Sequence, residues 1–77
     1  MKGGIILNDI GKKIKSIRLD NKLKQIDFAE MICISQSHLS SIESGKDYPS
    51  KAVIRLIALQ FGIDEKFLKE DFYEPNS

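Results

Sequence analysis

A chain of 77 residues is one small domain, near the size below which a single core supplies only a few kcal/mol of net stability. With 42% apolar and 30% charged residues its composition is globular, which excludes wholesale disorder, and no apolar stretch approaches the ~20 residues of a membrane span. The net charge of +1 conceals an asymmetry, since residues 1–55 hold ten Lys and Arg against six acids and residues 56–77 hold two against five; a polyanion would therefore be met by the N-terminal part.

In chain order, Ile10, Ile14 and Ile17 recur at helical spacing with Asn8 or Asp9 ahead of them as N-cap, which predicts a first helix ending near Asn21. Phe28, Ala29 and Ile32 share one face of a short second helix over Gln25 to Ile32. Cys33 to Ser35 interrupt the pattern. Leu39 and Ile42 resume it as a third helix, capped by Ser35 and ended at Gly45, where glycine takes a left-handed conformation without steric cost. Pro49 follows, and Ser50 caps a fourth helix over about Lys51 to Phe61. That helix carries two apolar stripes, one of Val53, Ile54, Ile57, Ala58 and Phe61, the other of Ala52, Leu56 and Leu59, whereas a surface helix needs only one. Gly62 ends it. Asp64 caps a fifth helix from which Phe67 and Leu68 are expected to face inward. No segment alternates as a strand does, so the class is all-α with five helices, forming one domain over residues 1–77 with its core at about 8–70.

The single Cys and single His exclude an internal disulfide and argue against a Cys/His zinc centre, so a reducing cytoplasm fits best. Cys33 is read as a buried structural thiol.

Two short helices joined by a three-residue turn, with the small Ala29 at their crossing, have the spacing of a helix-turn-helix. The segment Ser35 to Pro49, SQSHLSSIESGKDYP, is unusual in that five of its fifteen residues are serine. Serine is a weak helix former, and a merely solvated face would be expected to carry Glu and Lys. Short hydroxyls instead let a backbone approach the base edges of a DNA major groove about 12 Å wide.

The stretch KQIDFAEMICISQSHLSSIESG resembles the helix-turn-helix of the phage Cro and repressor family, also called the xenobiotic response element family. The matching positions are Gln25, Phe28-Ala29, Ile34, Leu39, Ile42-Glu43 and Gly45, with Gly11, Ile14 and Arg18 before them and Pro49-Ser50, Ala58, Phe61-Gly62 and Leu68 after. Two positions depart from the pattern: Cys33 stands where the family often has a glycine of positive φ, and Lys24 replaces the usual Ser or Thr cap.

The resemblance implies a compact five-helix bundle of the lambda-repressor-like type, with helix 3 reading double-stranded DNA. It implies base contacts from Gln36, Ser37, Ser40 and Ser41, and leaves His38 between a DNA contact and an aromatic spacer. Gln36 suits the N6 and N7 edge of adenine. Phosphate contacts fall to Gln25, Ser35 and Lys46, and to Lys24 or Ser44. Arg18 and Glu43 resemble a buried ion pair, for which arginine's planar fork is suited. Members of this kind bind pseudo-palindromic operators as homodimers, with half-sites about 34 Å apart, and the surplus apolar residues Leu56, Leu59, Ile63, Phe67 and Phe72 supply a two-fold interface. The expected function is that of a transcriptional regulator, a repressor more than an activator, with no cofactor, metal, membrane or small-molecule ligand. The alternative is an antitoxin or other protein-binding module, its acidic segment KEDFYEPNS holding the partner. An enzyme is disfavoured, because no acid-base constellation, Gly-rich phosphate loop or metal-ligand cluster is present.

Overall fold

The computed structural model describes residues 10–69, which form α1 (Ile10–Asp20), α2 (Gln25–Met31), α3 (Gln36–Glu43), α4 (Lys51–Phe61) and α5 (Glu65–Lys69). There is no strand among them. The expected cap at Asn8 or Asp9, the segment after Lys69, and Phe72 lie outside the described residues. No helix is long and apolar enough to cross a membrane, among the described residues.

One face of every helix feeds a single core. Ile10, Ile14 and Ile17 from α1 meet Phe28 and Ala29 of α2, with Ile32 of the following turn, Leu39 and Ile42 of α3, Val53, Ile54 and Ile57 of α4, and Leu68 of α5. Phe28 stacks on Phe61 at a centroid distance of 5.1 Å, joining α2 to α4. The first stripe of α4 is the buried one, while on the second Leu56 packs partly against the core and Leu59 remains 73% exposed.

Helix ends are closed by local chemistry. Ser35 Oγ accepts from the His38 N–H at 3.1 Å and Ser50 Oγ accepts from the Val53 N–H at 3.2 Å, each satisfying an otherwise orphaned donor. Asp64 does the same for α5, accepting from the Lys66 N–H at 3.0 Å. At the C-termini of α1, α2 and α3, the second residue past the helix takes positive φ and the next one donates back to a carbonyl five residues earlier: Leu23 to Arg18, Ile34 to Ala29 and Lys46 to Ser41. Gly45 fills that position after α3, but Lys22 with φ 58° and Cys33 with φ 62° fill it after α1 and α2.

Two expectations are corrected here. Cys33 is exposed, because the left-handed residue at the apex of the turn points outward while Ile32 and Ile34 on either side take the interior positions. Phe67 does not face inward beside Leu68. Neighbouring residues on a helix diverge by about 100°, so a five-residue helix that buries Leu68 turns Phe67 out, 49% exposed, with the Lys13 Nζ 4.9 Å from its ring centroid.

At Gly11, α1 lies directly against the backbone of the last turn of α3. A Cβ at this position would overlap the Ile42 carbonyl oxygen and press on that of Glu43, and both are backbone atoms that cannot swing aside. Gly11→Ala is therefore expected to destabilise the fold by about 1 to 3 kcal/mol, even though alanine favours helix over glycine by about 0.8 to 1 kcal/mol. Urea melts test this against Ser16→Ala on the exposed side of α1, which should stay within about 0.5 kcal/mol of the parent.

Candidate nucleic-acid interface

α3 presents two unlike sides. Leu39, Ile42 and Glu43 are buried, and Gln36, Ser37, His38 and Ser40 are exposed, with Ser41 half-buried. At 100° per residue Ser37, Ser41 and Ser44 lie opposite the buried stripe, Ser40 lies beside them, and Gln36 sits on the flank shared with Glu43, which faces α2. His38 is on the other flank. Since serine contributes little to helix formation, α3 holds its shape through the Ser35 cap, its three interior side chains and its glycine terminus.

A chain of polar contacts runs from the interior to this edge. Arg18 Nε donates to Glu43 Oε2 at 2.7 Å and its Nη2 donates to Oε1 at 3.1 Å, a bidentate pair in which the side chains are 10% and 4% exposed. Arg18 Nη1 donates to the Leu23 carbonyl at 2.9 Å, which ties the α1–α2 turn to the same guanidinium. Gln25 Nε2 donates to Glu43 Oε1 at 3.1 Å, and Gln36 Nε2 faces Gln25 Oε1 at 3.5 Å, the long limit of a hydrogen bond. Nothing in the sequence announced the links from Gln25 to Glu43 and Gln36, because residues 18 and 11 positions apart on different helices share no periodicity.

The other residues expected to meet DNA are distributed around this edge. Ser35 and Lys24 precede α3 and α2, and Ser44 and Lys46 follow α3; all four are exposed. Their hydrogen-bond capacities differ. Ser35 Oγ accepts from the helix and keeps its hydroxyl proton for an outside acceptor, whereas the Ser44 hydroxyl already donates to the Ser41 carbonyl at 3.1 Å. A phosphate diester only accepts, so Ser44 would have to abandon its internal bond to hold one. Ser37 and Ser40 have no hydrogen-bond partner for their hydroxyls among the described residues. Of the expected self-association surface, Leu59 and Phe67 are exposed while Leu56 and Ile63 are partly covered by the core.

Comparison with known proteins places this geometry in context. The helix-turn-helix family model HTH_3 matches residues 14–68. The immunity repressor protein of Bacillus phage phi105 is 35% identical over 75 residues, covering 88% of this chain and 52% of that protein, so the chain spans about half the length of this relative. Antitoxin PezA of Streptococcus pneumoniae serotype 4 is 39% identical over 54 residues, covering 70% of this chain and 34% of the antitoxin. Among solved structures, Bacillus thuringiensis PlcR in complex with the peptide PapR7 and DNA superposes with a TM-score of 0.76 at 33% identity, over 91% of this chain and 25% of PlcR.

Removing one member of a buried ion pair strands the other. Glu43→Ala is expected to cost about 3 to 5 kcal/mol, since it leaves the Arg18 guanidinium with only the Leu23 carbonyl and Gln25 without its acceptor. Urea denaturation measures the loss, and a cost below ~1 kcal/mol would contradict a structural role for the pair.

Proposed function

The chain belongs to the HTH_3 helix-turn-helix family, a family of DNA-binding transcription regulators and not of enzymes, and from that membership we propose that it represses transcription by binding a pseudo-palindromic operator as a homodimer. The observation that carries the proposal is the outer side of α3, a helix whose exposed residues Gln36, Ser37 and Ser40 are short or amide-bearing and mostly hold no internal hydrogen bond. A helix face of this kind can enter a major groove and keep donors and acceptors for base edges.

In this reading Gln36 pairs with adenine, Ser37, Ser40 and Ser41 make direct or water-mediated base contacts, and His38 lines the flank of the groove. Gln25, Ser35, Lys46 and Lys24 fix the domain on the phosphates, contributing affinity and register without sequence information. Ser44 is the weakest member of the phosphate set, for the reason of its internal bond. Repression is favoured over activation by the likeness to the phage immunity repressor, and in this reading the protein acts in the cytoplasm.

The homodimer rests on Leu59 and Phe67, apolar side chains left exposed on α4 and α5 of a domain whose own core is small. Leu56 and Ile63 would form the floor of that interface. A second reading, a protein-binding antitoxin with secondary DNA binding, is supported by the likeness to PezA. Co-purification of a stoichiometric small protein would favour it.

Selection from random duplex DNA should enrich an inverted repeat with half-site centres about 34 Å apart. Gln36→Ala should relax the preference at one base pair of each half-site by about 1 to 3 kcal/mol. Lys46→Ala should instead weaken all sequences alike and lower the slope of log affinity against log salt by about 1. Weak, salt-sensitive binding with no enriched sequence would overturn the proposal. Sedimentation equilibrium should likewise show the dimer, and Leu59→Glu should shift it toward monomer and weaken operator binding; a parent chain that is monomeric at high micromolar concentration and on the operator would exclude the two-fold arrangement.

A further inference from the structure

Phe67, exposed on α5, is gripped by Lys13 of α1. The Lys13 ammonium donates to the Phe67 carbonyl at 2.8 Å and lies 4.9 Å from the centroid of the Phe67 ring. We propose that this contact is a latch fixing α5 relative to α3, which makes Lys13 a positioning residue for the half-site spacing that the dimer accepts. The inference rests on the reading of α3 as the DNA-facing helix and of Leu59 and Phe67 as the self-association surface.

Little else holds the orientation of α5. It has five residues, too few for a helix to persist alone. Leu68 seats it in the core, but one buried side chain is a pivot and leaves the rotation of the helix open. At its start Arg55 Nε of α4 meets Glu65 Oε2 at 3.3 Å, an exposed pair of the kind that adds little. Lys13 supplies a further fixed point, and it does so from α1. That helix is in turn locked to α3, by the backbone contact at Gly11 and by the bidentate pair of Arg18 with Glu43. The mechanical path from the serine-rich side of α3 to the exposed Phe67 therefore runs through α1 and Lys13.

The chemistry of Lys13 suits such a latch. Its flexible four-carbon stem brings one charge to a carbonyl and to a ring at once, so both the backbone of α5 and the Phe67 side chain are oriented together. Inserting one base pair between half-sites displaces one of them by about 3.4 Å along the duplex and turns it by about 35°. For both recognition helices to stay in the groove, α5 must then shift against α1. A two-fold interface uses the same residues twice, so both copies of the latch must give way. An operator of the wrong spacing is bound only at the expense of two such contacts.

The test uses the full chain and duplexes carrying the inverted repeat selected by the parent protein, with one base pair inserted or removed between the half-sites. The quantity read is the ratio of affinities for the selected and the altered spacing. Within one preparation that ratio is independent of the fraction of protein that is folded, so a variant that is merely less stable does not alter it. Lys13→Met keeps the stem and deletes the charge. It is expected to lower the ratio roughly 5- to 30-fold, the range for one exposed cation–π contact in each of two protomers. Lys13→Arg retains a charged donor over the ring and should keep the ratio near that of the parent. If Lys13→Met weakens every duplex by the same factor, or changes nothing, the latch does not set the spacing and the inference is wrong. If Phe67→Ala leaves both affinity and ratio at parental values, the failure lies in the reading of α5 as part of the interface.

Discussion

The Arg18–Glu43 ion pair is the constraint on which the rest of the domain depends. Arg18 stands near the end of α1 and Glu43 is the last residue of α3, and their two hydrogen bonds of 2.7 and 3.1 Å fix those helix ends together. The remaining capacity of each partner is also used: the guanidinium holds the Leu23 carbonyl in the α1–α2 turn, and the carboxylate holds Gln25 at the start of α2. Four segments are thus oriented by one buried pair. Desolvating two charges offsets much of their mutual attraction, so the pair is better understood as specifying an arrangement than as a source of net stability. It acts together with the helix contact at Gly11, where the absence of a side chain lets α1 approach the carbonyls of Ile42 and Glu43 closely enough for Arg18 to reach across.

Much of the fold was legible in the sequence, for reasons that are local. The isoleucines of α1, Phe28 and Ala29 of α2, and Leu39 and Ile42 of α3 repeat at helical spacing and are buried. Ser35, Ser50 and Asp64 were readable as caps because a short oxygen-bearing side chain ahead of an apolar-periodic run has few other uses. The bounds of α4 agree with its Ser50 and Gly62 punctuation. The family resemblance placed Arg18 opposite Glu43, which no periodicity could have done across 25 residues.

The misses also have physical causes. Cys33 was taken as buried on the general preference of thiols for interiors, but its place is decided by backbone geometry: the turn needs a left-handed residue, and such a residue faces outward. Phe67 was assigned inward by hydrophobicity alone, without the angular separation from Leu68 that a single helical turn imposes. Lys22 gave no signal at all, since lysine has no preference for positive φ and only the return of Leu23 to the Arg18 carbonyl shows that the chain reverses there. The contact of Gln25 with Gln36 was hidden because it depends on how two helices pack, not on either one's composition.

Among the described residues, departures from local preference run from Lys22, with its positive φ in the α1–α2 turn, through α2 and α3. α2 begins at Lys24, which gives no side-chain cap, and ends at a non-glycine residue with positive φ; α3 is rich in serine, a poor helix former. α4 shares with α3 a serine cap and a glycine terminus, but has no serine within the helix itself. Natural sequences concentrate such local inconsistencies where function overrides folding, with compensation elsewhere. Here the compensation is tertiary: Phe28, Ala29, Leu39 and Ile42 are buried to 1% exposure or less, and the Arg18–Glu43 pair closes the unit on its remaining side. The conformation of α3 is therefore maintained by its neighbours far more than by its own residues. That leaves Ser37 and Ser40 on the outward side of α3 open to change, because substitutions there alter what the helix displays without touching what holds it.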